Sequence, residues 1–174
     1  MVAETGNQVD WAVEVLQEAE TPEKIRQILR SSARAAVQAQ GATVVELVDD
    51  MCFYADEDAM SPLWKGQRFP VSVCISGWAM QRGESIVIPD IDSDDRIPME
   101  AYRPTFVRSL IMVPIMIGRP VGAIGAYWGR RHRGSDDEVA ALERLAAAAA
   151  EALERILGRP DQERGTGPVG GWSA

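Results

Sequence analysis

Residues 108–128, RSLIMVPIMIGRPVGAIGAYW, decide the fold. Two β-rich runs, 108–117 and 121–128, flank Gly118-Arg119-Pro120, whose residue types suit a reverse turn. The stretch reads as a β-hairpin, and strands joined so tightly run antiparallel. Upstream, Ala42–Asp49 (ATVVELVD) and Met51–Tyr54 meet at the Asp49-Asp50 pair and read as a second hairpin. Ile86–Ile88 is a short strand stopped by Pro89. Residues 55–70, acidic and holding two prolines, Gly66 and Trp64, are expected to form a loop. Residues 90–107 are expected to form a long loop with one helical turn at Met99–Tyr102.

Helical patterns lie outside these strands. A first helix is expected over 8–19, with Trp11, Val15 and Leu16 on one side. Thr21-Pro22 is a helix start, and the stripe Ile25, Ile28, Leu29, Ala36 and Val37 runs to Gly41, the expected stop. Residues 71–82 suit a short helix ended by Gly83. Ser135 and Glu138 form a capping box, opening a helix to about Leu157 striped by Leu142, Leu145, Ala149, Leu153 and Ile156. The pattern predicts one α+β domain over 8–157, with a mainly antiparallel sheet and the terminal helices on one face. Residues 1–7 are expected to be flexible, and the glycine-rich residues 158–174 disordered.

Composition narrows the function. The 174 residues include 18 bases, 26 acids, one histidine and two cysteines. A net charge of −8 argues against nucleic acid as the main partner. No apolar run reaches membrane-spanning length, and the first residues lack a secretory apolar region. A reduced, cytoplasmic setting is expected. His132 alone excludes multi-histidine metal sites. Residues 101–134 hold six arginines and no acid, while 41–100 carry four bases against twelve acids. The arginines either pair with the acids of 84–100 or meet an anionic ligand.

Four groups of residues carry candidate chemistry. Cys52 and Cys74 read first as small buried hydrophobes, with a redox pair as the alternative. Tyr102, Arg103, Phe106 and Arg108 combine rings and guanidinium groups, which suit a planar or anionic molecule or else anchor the loop on its own sheet. Asp90, Asp92, Asp94 and Asp95 lack the glycine and closing glutamate of a calcium loop and read as a turn, with Arg96 as a partner. Trp78 and Trp128 are pocket walls or plain core. The alanine run of the last helix suits close packing, on the sheet or against a second copy.

CISGWAM at 74–80, GESIVIPDI at 83–91, DDRIP at 94–98, AYRPTFVRSLIMVPI at 101–115 and PVGAIGAYW at 120–128 together resemble a GAF domain of the type found in bacterial PAS/GAF sensor histidine kinases. EVAALERLAAAAAEAL resembles the closing helix of that family. The resemblance implies a six-stranded antiparallel sheet with terminal helices on one face. A small-molecule pocket would lie on the other, roofed by the short helix and long loops. Cys74, Trp78, Arg96, Tyr102, Phe106, Arg108, Met112 and Trp128 are the expected ligand contacts. Neither cysteine precedes a histidine, so no covalent bilin is expected; a lone His132 argues against haem; no cofactor is expected. Kinase, cyclase and phosphodiesterase motifs are absent from the sequence. The expected function is non-catalytic sensing of an unknown small molecule, in a homodimer paired through the terminal helices, with a histidine kinase or regulator as partner. The alternatives are a thiol-dependent free methionine sulfoxide reductase, whose Gly-Val-Cys-Gly wording is not matched here, and an interaction scaffold with its pocket collapsed.

Overall fold

The structure, a computed structural model, describes residues 2–158 and 171–172. Helices α1 (Val2–Glu18) and α2 (Pro22–Ala36) precede strands β1 (Gly41–Val48), β2 (Met51–Ala59) and β3 (Arg68–Pro70). Then follow α3 (Ile75–Arg82), β4 (Ile86–Ile88), a short helical turn at Ile91–Ser93, α4 (Met99–Tyr102), β5 (Ser109–Ile117), β6 (Arg119–Trp128) and α5 (Asp136–Leu157). The six strands form one antiparallel sheet in the order β3-β2-β1-β6-β5-β4. The expected α+β architecture is what the chain adopts.

Helices α2 and α5 cover one sheet face, and α1 packs on both of them. Leu16, Ile25, Leu29, Leu142, Leu145 and Leu153 are buried there against Ile111, Val113, Ile115 and Ile124. Each such side chain contributes about 1.5–3 kcal/mol on leaving water. Alanines 146, 148, 149, 150 and 152 let α5 lie close to its neighbours, while Ala147 is exposed. Thr21 caps α2 and both halves of the Ser135–Glu138 capping box are made. Glu138 also receives His132, whose Nε2 lies 2.8 Å from a carboxylate oxygen, so one side chain ties the β6–α5 connection to the helix start.

Several boundaries differ from the sequence reading. The first helix begins at Val2, six residues before its expected start, and Met1 lies outside the described residues. Its buried stripe is Val9, Ala12 and Leu16; Trp11 is 58% exposed. Helix α2 stops at Ala36, because Gln38 takes the left-handed conformation (φ 51°) expected of Gly41, which instead opens β1. Strand β2 continues through residues expected to be loop. Val44 pairs with Asp56 and Val45 with Tyr54, so Ala55 is an extra, bulged residue. A bulge reverses the alternation of faces. Cys52 and Tyr54 face away from the helices, whereas Asp56 and Asp58 turn toward α2 and receive Arg30 (2.9 Å) and Arg34 (2.6 Å). Arg26, one helical turn earlier, binds Glu46 at 2.7 Å.

Of the expected disordered tail, residues 159–170 and 173–174 lie outside the described residues, but Trp172 is buried. Its indole N–H donates to the Val121 carbonyl (3.1 Å) and its backbone N–H to Glu46 (3.4 Å). A Cβ at Gly122 would stand 2.9 Å from the indole, so glycine makes the slot. Trp172→Ala is expected to lower stability by about 3 kcal/mol, the low end for losing a buried tryptophan. Urea denaturation checks this; an unchanged midpoint would mean that the indole is undocked in solution.

Candidate functional site

The sheet face opposite the helices carries a second buried cluster. Its floor is Val45, Tyr54, Met112, Ala123 and Tyr127; its roof is α3, α4 and residues 60–67. Trp64 fills the middle. Its ring centroid lies 5.6 Å from Tyr54, 4.7 Å from Tyr102 and 5.3 Å from Tyr127, in tilted or edge-on contacts. The indole N–H donates to the Ala101 carbonyl at 2.9 Å. The bulge at Ala55 sets this up, because it turns Glu57 toward the cluster. One Glu57 oxygen accepts the Leu63 N–H (2.9 Å); the other accepts those of Trp64 (3.0 Å) and Lys65 (2.7 Å). These charge-assisted hydrogen bonds, stronger than neutral ones, join the backbone bonds of Gly66 and Gln67 to Tyr54 in fixing the segment that carries the central ring.

Burial pushes the hydroxyls of Tyr54, Tyr102 and Tyr127 upward in pKa, so all three stay neutral at physiological pH. Tyr127 shares a hydrogen bond with Thr43 (2.9 Å) and Tyr54 with Ser76 (3.1 Å). The chamber is thus aromatic and uncharged, apart from the Glu57 carboxylate at its edge.

Cys52 and Cys74 are both buried in this cluster, Cys52 on β2 and Cys74 at the start of α3. Cys74 is the residue before the helix, and its Sγ lies 3.4 Å from Ser76 Oγ and 3.5 Å from the Pro70 carbonyl. Both thiols belong to this one buried cluster, and each perturbs the titration of the other. Its neighbours Cys52 and Ser76, with the Gly77 N–H, hold the Cys74 thiol down to about 7 against the burial that raises it. The neighbouring Cys74, then burial, push Cys52 up. Both are buried, as the sequence suggests.

The GAF domain model matches residues 21–154, three quarters of the chain. This chain belongs to the GAF domain family. Solved structures agree on the fold. The GAF domain of an Acinetobacter phosphoenolpyruvate-protein phosphotransferase is 14% identical with a TM-score of 0.74, over 86% of this chain and 92% of that one. A free methionine-R-sulfoxide reductase from Neisseria meningitidis, in complex with its substrate, is 18% identical with a TM-score of 0.78, over 89% and 91%. The chromophore-binding domain of a bacteriophytochrome from R. palustris is 17% identical with a TM-score of 0.75, over 88% of this chain and 61% of that one. No curated protein matches this chain in sequence.

Within this GAF domain the eight expected contacts separate. Cys74, Tyr102 and Met112 belong to the aromatic cluster, and Trp78 and Phe106 pack at its margin, half-buried. Trp128 lies on the other side of the sheet, in the helix-covered core, 4.4 Å from the His132 ring. Arg96 is bound at two points by Asp94 (2.9 and 2.7 Å) and lies over Trp78; the pair holds the Asp94 carboxyl below its usual range. Arg108 pairs with Asp92 (3.0 Å) and Arg131 with Asp90 (3.1 Å), so these guanidinium groups meet acids of the preceding segment. Asp90 also accepts the Asp92 N–H, as a turn residue does. Among the described residues no three His, Cys, Asp or Glu side chains are placed to hold a metal ion, and no helix is long and apolar enough to cross a membrane. An open groove of about 780 Å³ between α5 and the β4–β5 edge, lined by Ser85, Pro114, Met116 and Glu143, contains none of the eight. The sequence reading missed Trp64, Tyr54, Tyr127 and Glu57. Only the alternation of Cys52 and Tyr54 in β2 signals which way that strand faces.

Proposed function

We propose that this GAF domain is a non-catalytic sensory module that takes a small planar, largely apolar molecule into the chamber now filled by Trp64. The observation that carries the reading is the aromatic enclosure itself. Three neutral tyrosines surround a ring delivered by a loop, and the Glu57 carboxylate of β2 accepts three of that loop's backbone N–H groups. An anionic ligand is less well served, because Arg96 and Arg108 are already paired. A ligand that lifts residues 63–65 off Glu57 strains β2 at its bulge. The other face of β2 carries Asp56 and Asp58, which grip α2. Ligand occupancy therefore reaches the helix face through one strand. In the same reading two copies pair through α1, where exposed Trp11 is the side chain a second copy would cover, and a histidine kinase or regulator reads the pair.

Native mass spectrometry of freshly purified chain, with a denatured control, tests this. The expected spectrum is a dimer carrying a non-covalent small molecule. A monomer with no added mass, whose melting temperature no planar aromatic compound raises, sinks the reading.

A second reading, a thiol-dependent reductase of free methionine sulfoxide, is favoured by the two cysteines sharing one buried cluster and by the fold shared with the Neisseria enzyme. Turnover of free methionine sulfoxide decides it, and its absence with both thiols titratable removes it.

A further inference from the structure

We propose that the slot holding Trp172 is a recognition site for a Gly-Trp chain segment: Gly171 and Trp172 occupy it as a detachable ligand, and the same segment of a second copy takes it in their place. Trp172 belongs to the helix-side core, so this stands whether or not the chamber takes a ligand. The sheet, not the tail, builds the slot. Gly122 pairs with Glu46 of β1 on one side and with Ile115 of β5 on the other. A Cβ on it would meet the Val45 carbonyl and stand 2.9 Å from the indole. Backbone paired on both sides therefore forms the floor, and glycine has no side chain with which to fill the space once the indole leaves. Val121, the preceding residue, is the bulged one and pairs with neither β1 nor β5. Its carbonyl accepts the indole N–H at 3.1 Å, a donor from outside the sheet.

A second acceptor lies beside the first. Glu46, 5% exposed, accepts Arg26 of α2 on one oxygen (2.7 Å) and the Trp172 backbone N–H on the other (3.4 Å). Buried acceptors left without donors are costly, so the slot favours a segment that brings an indole N–H and a backbone N–H together. The residue before the tryptophan is restricted as well. Gly171 has a φ of 75°, in the left-handed region, and a Cβ on it would stand 3.0 Å from Glu46 Oε2 and 3.3 Å from Val48 Cγ2. A side chain there is opposed by the backbone conformation and by the contact. One ring, two N–H donors and one left-handed glycine are what a short linear segment offers. Nothing in these contacts requires the segment to belong to the same chain as the slot.

Tethering decides which copy supplies the segment. Residues 159–170 join Gly171 to the end of α5, and a segment tethered in this way meets its site at an effective concentration in the millimolar range. A free peptide with a Kd of about 100 µM for the vacant slot is then weakened about tenfold while the chain's own tail is in place. A second copy held at close range presents its tail at a comparable concentration, and exchange of the two tails leaves the contacts unchanged.

The test uses the full chain and a fluorescein-labelled peptide of residues 167–174, GPVGGWSA, which stands for the tail of a second copy. Fluorescence polarisation is expected to show saturable binding to the Trp172→Ala chain, and binding about tenfold weaker to wild type, whose own tail competes. The peptide carrying Trp172→Ala is expected not to bind. The peptide carrying Gly171→Ala is expected to bind about tenfold more weakly, because of its left-handed backbone. If the Trp172→Ala chain lacks the circular dichroism of wild type, Trp172→Phe replaces it: that ring occupies the slot without donating to Val121, and its chain is expected to bind the peptide more tightly than wild type does. The proposal is overturned if the folded variant does not bind the peptide, if variant and wild type bind it equally, or if the peptide without tryptophan binds as well.

Discussion

Trp64→Ala is expected to lower the stability of this domain by about 3–5 kcal/mol, and added indole is expected to restore much of the loss. The side chain is 3% exposed and packed against Tyr54, Tyr102 and Tyr127. Removing it forfeits the transfer energy of the largest side chain and leaves a void with rigid walls. Tyr127 is held by Thr43 and Tyr54 by Ser76, so the rings cannot collapse freely into the space. Indole has the lost shape and the lost N–H, and the Ala101 carbonyl that received Trp64 stays in place to receive it. At a free concentration of one hundred times its Kd, a ligand adds about 2.7 kcal/mol. Thermal melts of variant and wild type, each with and without indole, make the measurement. A rise confined to the variant shows a chamber able to hold a planar molecule. An equal effect on both proteins, or a variant as stable as the parent, would show that Trp64 plugs no such space.

Hairpins, caps and helices are legible in this sequence because their signals are local. Ser135 and Glu138 are three residues apart, Thr21 precedes Pro22, and each acts on its nearest backbone. The site is less legible because face assignment depends on parity, and two bulges change it. In the β5–β6 hairpin Ile117 pairs with Arg119 and Met116 with Pro120, but Ile115 pairs with Gly122, leaving Val121 extra. Without that residue Met112 would pair with Ile124 and share a face with Trp128. With it Met112 pairs with Gly125, and Trp128 turns into the helix-covered core. The bulge at Ala55 does the same in β2. A run of acids that looks like a loop becomes a strand because Arg30 and Arg34, spaced one helical turn apart on α2, neutralise alternate residues of it. Trp64 and Glu57 are missed for the same reason, since their positions follow from a strand extension that composition argues against. That Cys52 and Cys74 share one cluster depends on packing α3 over the sheet, which no spacing encodes.

The other large effect is expected at Gly77, where replacement by alanine should destabilise the domain by about 3 kcal/mol or more. Helix interiors ordinarily favour this change, since glycine costs about 1 kcal/mol relative to alanine there. Gly77 sits in α3 with the Val71 backbone against it. An added Cβ would stand 1.9 Å from the Val71 carbonyl oxygen and 2.6 Å from its carbon. Backbone, unlike the end of a long side chain, cannot swing aside. The Val71 N–H is held by the Asp50 carbonyl at 3.0 Å, so the turn cannot retreat without losing a bond. Either α3 lifts from the sheet, exposing Ile75 and Ala79, or the 70–73 turn is pushed outward; both move Cys74 away from Cys52. The control is Gly83→Ala at the end of the same helix. There φ is 64° and the nearest side-chain atom is 3.6 Å away, so only the left-handed backbone penalty applies, about 1–2 kcal/mol. Urea midpoints should therefore rank wild type above Gly83→Ala above Gly77→Ala. A Gly77→Ala protein as stable as wild type would mean that α3 does not rest on the Val71 carbonyl.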